Sequence, residues 1–294
     1  MKEKRFAVLY AILAAALYAL NAPVSKLLLK DVQPAMMASL LYLGAGAGMF
    51  LLQLAQKGLR YQSKETRLTT KDLPYTLGMI VLDILAPIFL MMGLRETTAE
   101  NASLLNNFEI VATSLIALLI FREKLSKRFW FALGLITLSS VLLSVEDARS
   151  FSFSAGSLYV LLACCCWGME NNCTRMLSAS DPQQIVIVKG LGSGVGSLIV
   201  AGFAGEALPD MYSLLLVLLL GFVAYGLSIY FYVYAQRFLG AARTSAYYAV
   251  QPFIGVVLSL LIFREMPGML FFAALVLMVG GTWLVTKDQA DEGD

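Results

Sequence analysis

Ten apolar segments of about 20 residues follow one another along this chain, most of them joined by short connections. A helix of that length crosses the hydrocarbon core of a bilayer, because each residue adds about 1.5 Å to its rise. Of the 294 residues, 59% are hydrophobic and 14% are charged, and a soluble protein could not bury so much apolar surface. The sequence therefore predicts an all-α membrane protein with ten transmembrane helices. In chain order the predicted spans are 6–29, 34–54, 73–94, 99–121, 129–145, 157–177, 182–203, 211–238, 241–263 and 267–286.

Lysine and arginine are unequally distributed between the two sides of the membrane that these spans define. With the N-terminus in the cytoplasm, sixteen of the 22 basic residues fall on the cytoplasmic side and four outside, and Lys26 and Lys189 lie within spans. Basic loops are retained in the cytoplasm. We therefore predict that both termini are cytoplasmic and that the connection at Arg149 is external. The acidic tail 287–294 is predicted to be disordered.

An internal repeat divides the chain into two halves. The hexapeptide Leu-Leu-Ile-Phe-Arg-Glu occurs at 118–123 and again at 260–265. A proline followed by glycines ten, twelve and fourteen residues later occurs at 34–48 and again at 182–196. We predict two homologous halves, 1–147 and 150–286, each with five spans. Because five is odd, the second half enters the membrane from the opposite side. Such inverted repeats are typical of secondary transporters, whose substrate site lies near the midplane between the repeats.

The repeated features resemble a known family. Tyr18-Ala-Leu-Asn21 followed by Lys26, and Trp167-Gly-Met-Glu170 followed by Arg175, resemble the aromatic-Gly-x-Asn…Lys opening of the EamA family in the drug/metabolite transporter superfamily. Each half also ends in an apolar run closed by Phe-Arg-Glu and one further span. The sequence departs from the family at Leu41, where many relatives carry arginine, whereas Lys189 keeps a cation at the equivalent place in the second half. The resemblance implies a carrier of the plasma (cell inner) membrane, often an exporter of amino acids or related metabolites.

Five ionisable side chains lie inside the predicted spans: Lys26, Asp83, Glu109, Glu170 and Lys189. Charges there are costly and usually face an internal cavity. Asp83 and Glu109 lie about 15 Å deep, near the midplane. We predict that Glu109 is the principal carboxylate for a proton or a cationic substrate group, with Asp83 as the second choice. Glu170 and Lys189 have a matched depth of about 10 Å on adjacent spans, which predicts an ion pair that is either structural or part of a cytoplasmic gate. Lys26, near the outer end of its span, is either an interface anchor or a gate or substrate contact.

Polar and aromatic side chains recur at helix spacing in four spans. Members of each pair are three residues apart and so share a helix face. The repeat relates Tyr18 and Asn21 to Trp167 and Glu170, and Asn106 and Glu109 to Tyr248 and Gln251. We therefore predict that spans one, four, six and nine line one cavity, with all eight side chains as candidate substrate or proton contacts.

Missing residue types narrow the chemistry further. The sequence has no histidine, which excludes Ser-His and Cys-His catalysis and histidine metal sites, and its four cysteines match neither a zinc spacing nor a disulfide framework. The leading hypothesis is a secondary active transporter of small metabolites, a monomer or homodimer, that works by alternating access. Its expected partners are the metabolite, protons and the lipid bilayer. No enzyme activity, cofactor, metal or nucleic acid is expected. The alternatives are an intramembrane enzyme, for which no motif is present, and a passive channel, which normally needs a symmetric filter.

Overall fold

A computed structural model describes residues 2–58, 66–121, 126–147, 152–177, 180–239 and 247–292, and these residues form a bundle of helices. The helices are α1 Lys2–Ala19, α2 Asn21–Leu28, α3 Pro34–Gly58, α4 Leu73–Glu96, α5 Ala99–Leu105, α6 Phe108–Phe121, α7 Lys127–Ser144, α8 Ala155–Leu177, α9 Pro182–Phe203, α10 Met211–Leu220, α11 Ser228–Leu239, α12 Gln251–Phe263 and α13 Met269–Glu292. A 3₁₀ turn, Thr70–Asp72, precedes α4, and a π-helical segment, Gly221–Leu227, joins α10 to α11.

Seven stretches within the described residues are long and apolar enough to cross a membrane, so the chain is a multi-pass membrane protein. They are Phe6–Leu28, Pro34–Gln56, Thr70–Glu96, Lys127–Ser144, Pro182–Phe203, Met211–Ala235 and Met269–Asp288. The other three predicted spans differ for separate reasons. A turn at Asn106–Asn107 divides span four into α5 and α6, and span six is one continuous helix, α8, with several polar residues in its second half. Span nine lies partly outside the described residues, and its described part includes α12.

Among the described residues, two short strands depart from the predicted all-helical pattern, and the last helix is longer than predicted. Strand β1, Val145–Asp147, pairs antiparallel with β2, Ser152–Phe153, between α7 and α8. Arg149 lies between them, outside the described residues. At the other end of the chain α13 continues to Glu292, although disorder is predicted from residue 287. The Asp288 carboxylate is buried and accepts a hydrogen bond of 2.7 Å from Ser126, which caps α7. This contact holds the end of α13 against the bundle.

Glycines bring α3 and α9 into backbone contact at the centre of the bundle. A Cβ at Gly46 would lie 2.6 Å from the backbone nitrogen of Leu191, and a Cβ at Gly190 would meet the backbone of Gly46. No side chain fits at either position. Small residues at membrane helix interfaces allow this close approach, and van der Waals contacts between the backbones then stabilise the pair.

The contacts of the first half recur in the second half at repeat-related places. Glycines four residues apart on α3 and on α9 each lie against one other span. Gly44 lies against the backbone of Leu218 and Gly48 against the side chain of Phe222, and Gly192 and Gly196 lie against the side chains of Ile80 and Ile84. Likewise α1 packs on α11 and α12, whereas α8 packs on α4 and α6. Helices α7 and α13 pack on each other, as do α5 and α12. The main apolar core runs through all these contacts.

Candidate functional site

Three buried charged side chains meet where α4, α8 and α9 pack together. The Lys189 Nζ lies 3.0 Å from Asp83 Oδ2 and 3.0 Å from Glu170 Oε1. The three residues are only 8%, 0% and 2% exposed, respectively. Lys189 and Glu170 are thus the pair that their matched depth predicts, and Asp83 is a second carboxylate on the same ammonium group. We call Asp83, Glu170 and Lys189 the charged triad.

Hydroxyl groups hold both carboxylates of the charged triad. The Tyr42 hydroxyl donates to Asp83 Oδ1 at 2.9 Å, and Trp167 contacts Tyr42. Thr174, one turn along α8, donates to Glu170. Buried carboxylates persist only with such partners, because an unpaired buried charge is strongly destabilising. The two halves of the chain both contribute, since Tyr42 and Asp83 come from the first and the other residues from the second.

Glu109 lies in the first turn of α6 and is half-buried. Its Oε1 accepts a hydrogen bond of 2.6 Å from Asn171 Nδ2, and the same amide lies 3.3 Å from Thr113 Oγ1. Among the described residues, no hydrogen bond or ion pair joins Glu109 to the charged triad. Asn171 nevertheless follows Glu170 directly on α8, so the hydrogen-bond partner of Glu109 and a member of the charged triad are adjacent residues of one helix. Sequence reasoning missed Asn171, although an asparagine in an apolar span is itself a signal.

Both halves break a helix at the position that the repeat relates. The turn at Asn106–Asn107 precedes Glu109 by two residues, and the turn at 249–250 directly precedes Gln251. Asn106, at the end of α5, and Glu109, in the first turn of α6, lie on either side of this turn, and the Glu109 N–H donates to the Asn106 carbonyl at 3.1 Å. That the two side chains face one cavity stays a prediction. Asn106 Oδ1 and Asn107 Nδ2 are buried and make no hydrogen bond with any described residue. Gln251 is 7% exposed at the start of α12. Broken helices at matching places in two halves are the usual sign of a transporter binding site.

Tyr42, which donates to Asp83, also belongs to a cluster of tyrosine rings. Tyr225 packs against Tyr42 with ring centroids 5.1 Å apart and against Tyr18 at 5.3 Å, and Tyr18 lies 6.3 Å from Tyr248. The Tyr225 hydroxyl accepts a hydrogen bond of 3.0 Å from Asn21 Nδ2. Tyr225 belongs to the π-helical segment, and such segments occur frequently at functional sites. We call Tyr18, Tyr42, Tyr225 and Tyr248 the tyrosine cluster. Tyr42 and Tyr225 were not among the predicted site residues.

Lys26 lies apart from the charged triad, at the end of α4. Its Nζ donates to the backbone carbonyl oxygens of Leu94, Arg95 and Thr97. A cation is stabilising at a helix C-terminus, where carbonyl groups lack partners within the helix. The structure therefore does not bring Lys26 together with Glu170 and Lys189.

Pro87 loosens the helix that carries Asp83. Proline has no N–H, so the carbonyl of Asp83, four residues earlier on α4, lacks its usual helical partner. Irregular helix geometry thus occurs next to Glu109, Tyr225 and Gln251, and the helix that carries Asp83 lacks one hydrogen bond. Within the described residues, no group of three or more His, Cys, Asp or Glu side chains is arranged to hold a metal ion.

Comparison with known proteins extends over nearly the whole chain. The sequence model of the EamA-like transporter family matches residues 5–145 and again residues 154–287. A relative from Methanothermobacter thermautotrophicus, named an uncharacterized transporter, is 25% identical, and the match covers 93% of this chain and 84% of the relative. A protein of known crystal structure has the same fold, with a TM-score of 0.66 and 18% identity, over 95% of this chain and 94% of its own.

Proposed function

The chain belongs to the EamA-like transporter family and is a multi-pass membrane transporter, and we propose that it is a secondary active carrier of small metabolites that works by alternating access. One observation carries this proposal. Three carboxylates and one ammonium group lie in the interior of the bundle, with Asp83 and Glu109 from the first half and Glu170 and Lys189 from the second. A site between two halves that move against each other is what alternating access requires.

The charges in this interior do not balance among themselves. When all four groups are charged, Lys189 offsets one of the three carboxylates, and two negative charges remain. Uncompensated charge in a membrane interior is expensive and usually functional. A proton or the amino group of a substrate would relieve it. Glu109 is the better candidate for this exchange, because its hydrogen-bond partner is the neutral amide of Asn171, whereas Asp83 and Glu170 share Lys189.

The proposed architecture is ten transmembrane helices in two inverted repeats, 1–147 and 150–286. The reciprocal glycine contacts of α3 and α9 support it, because they relate the two halves by exchange of equivalent helices. The turns that precede Glu109 and Gln251 support it as well, since they fall at repeat-related positions. Five spans in each half would then make the halves antiparallel.

The proposed substrates are amino acids, amines or related metabolites. Carboxylates and the amides of Asn106 and Asn107 suit a positively charged or zwitterionic head group. The tyrosine cluster suits an apolar or aromatic part, and its ring faces attract a cation. The hydrogen bond from Tyr42 to Asp83 joins these two kinds of surface. Export is the direction that the family resemblance implies.

Reconstitution into proteoliposomes tests this function. With a panel of amino acids and amines, we expect saturable uptake of at least one compound, counterflow driven by preloaded substrate, and acceleration by a pH gradient. Protein-free liposomes and the Lys189→Met variant are the controls. Flux that rises linearly with concentration would favour a passive channel, and chemical conversion of the compound would favour an intramembrane enzyme.

Both termini are proposed to be cytoplasmic, in a plasma membrane, on the basis of the unequal distribution of basic residues. A cysteine in place of Arg149 should then react with a membrane-impermeant maleimide in intact cells. Lys127→Cys, at the exposed start of α7, is the matched control and should react only after permeabilisation. The unsubstituted protein, with its four native cysteines, gives the background. Reaction of Arg149→Cys only in permeabilised cells would reverse the orientation.

A further inference from the structure

A polar cavity of about 360 Å³ opens at one end of the bundle, where α2, α4 and α12 end and α5 begins. In the proposed orientation this is the external end. The side chains that give the cavity its character are three cations, two carboxylates and one aromatic ring: Lys26, Lys30, Arg95, Glu100, Glu265 and Phe263. None of these except Lys26 belongs to the site described above. Its volume lies within the range of about 300–1,000 Å³ that is usual for pockets that bind small molecules.

Glu100 is the unusual member of this group. It is only 4% exposed, it lines the cavity, and it makes no hydrogen bond or ion pair with the described part of the chain. The carboxylate is therefore reached from the cavity, and no hydrogen bond from the described residues occupies it. A group in this position is suited to a ligand cation.

Lys26 does not serve as the partner of Glu100. The two opposite charges attract each other, but Lys26 Nζ is held by the carbonyl groups at the end of α4, and within the described residues no ion pair forms between Lys26 and Glu100. Lys30 and Arg95 are exposed, so they lie where the cavity meets solvent. Glu265 is exposed as well, so the buried wall carries the Glu100 carboxylate and the rim carries two cations and one carboxylate.

The repeated hexapeptide places the second carboxylate. Helix α12 ends at Phe263 and is followed by Arg264, whose φ of 55° is left-handed and whose N–H donates to the carbonyl of Leu260. This turn brings Glu265 to the cavity, next to Phe263. The repeat-related Arg122 and Glu123 lie outside the described residues. The end of the hexapeptide is therefore a structural element of the cavity, which its sequence alone does not reveal.

We propose that this cavity is an outer vestibule site for a small zwitterion with a primary amine. Glu100 accepts the ammonium group, Lys30 and Arg95 face the anionic group, and Phe263 contacts the apolar part. The site deepens the proposed function, because it lies at the ends of helices from spans one, four and nine, which also carry Asn21, Glu109 and Gln251. A free amino acid and the head group of phosphatidylethanolamine share this chemistry, and the test separates them.

The test measures how fast a cysteine at the cavity reacts. Thr98 is exposed and lines the cavity, so Thr98→Cys should react with a charged methanethiosulfonate reagent, with the unsubstituted protein as background. In detergent without phosphatidylethanolamine, L-leucine should slow this reaction more than L-leucinamide or 4-methylpentanoate. Adding Glu100→Gln should raise the half-protecting concentration of L-leucine about tenfold, because a charge-assisted hydrogen bond is lost. Asp31→Asn, an exposed carboxylate at the same end, should leave it unchanged.

Slower reaction in nanodiscs that contain phosphatidylethanolamine, without any leucine, would identify the lipid head group as the zwitterion. The proposal is overturned if none of the three compounds protects and the lipid has no effect, if L-leucinamide protects as well as L-leucine, or if Glu100→Gln changes nothing. Substrate counterflow after reconstitution of the same purified protein into proteoliposomes would show that such a failure concerns the vestibule site alone. Absence of counterflow for every compound would instead count against the proposed function.

Discussion

Replacing Lys189 by Met is expected to be the most destabilising single change in the charged triad. The substitution leaves Asp83 and Glu170, each almost fully buried, without the ammonium group that lies 3.0 Å from both. Removing one partner of a buried ion pair costs about 3–5 kcal/mol. The thermal unfolding midpoint of the purified protein should fall by several degrees, at roughly 2–4 °C for each kcal/mol. Lys127→Met, at an exposed position on α7, is the control and should have no effect.

Companion variants separate the two carboxylates. Glu170→Gln leaves the Asp83–Lys189 pair intact and should therefore cost less than Lys189→Met. The double variant Lys189→Met/Glu170→Gln should recover part of the loss, because one unpaired carboxylate remains instead of two. Adding Asp83→Asn should recover more. Strictly additive losses, or a loss for Glu170→Gln equal to that for Lys189→Met, would contradict the shared ion pair.

The pairing of Glu170 with Lys189 could be predicted because the depth of a residue in the membrane follows from its position along a helix. Depth is only one coordinate, and it does not tell which helices are neighbours. Asp83 has a different predicted depth, yet it contacts the same ammonium group because α4 packs on both α8 and α9. Lys26 illustrates the converse. Its depth near one end of a span was predicted, but the carbonyl groups that hold it belong to another helix.

Helix breaks were the part of the site that hydropathy could not predict. The asparagines at 106–107 lie within an apolar run. The hydropathy of such a run is the same whether the helix is continuous or is interrupted by a turn. The π-helical segment depends on the close packing of Gly221 against the backbone of Leu41, a contact between distant parts of the chain. Tyr225 is placed by that contact, and its sequence neighbours mark only an apolar stretch with glycines.

Replacing Glu109 by Gln is expected to have the largest effect on transport. The glutamine keeps the length of the side chain and an oxygen that accepts the 2.6 Å hydrogen bond from Asn171, but it carries no charge and cannot release a proton. Transport driven by a pH gradient should fall about tenfold or more, a barrier increase of ~1.4 kcal/mol or more. Counterflow exchanges substrate for substrate without net proton movement, so its rate should change much less. The control is Glu96→Gln, an exposed carboxylate at the end of α4.

Gln251 explains why a loss of transport in this variant would report function and not folding. It occupies the repeat-related position of Glu109, directly after the corresponding turn, and it is uncharged and buried. The fold therefore accepts a neutral amide at this place in one half, and Glu109→Gln makes the two halves alike. If Glu109 binds the amino group of the substrate instead of a proton, counterflow should fall too, with a higher half-saturating concentration. Wild-type rates in both assays, with an unchanged pH profile, would show that the assignment is wrong and would transfer the role to Asp83.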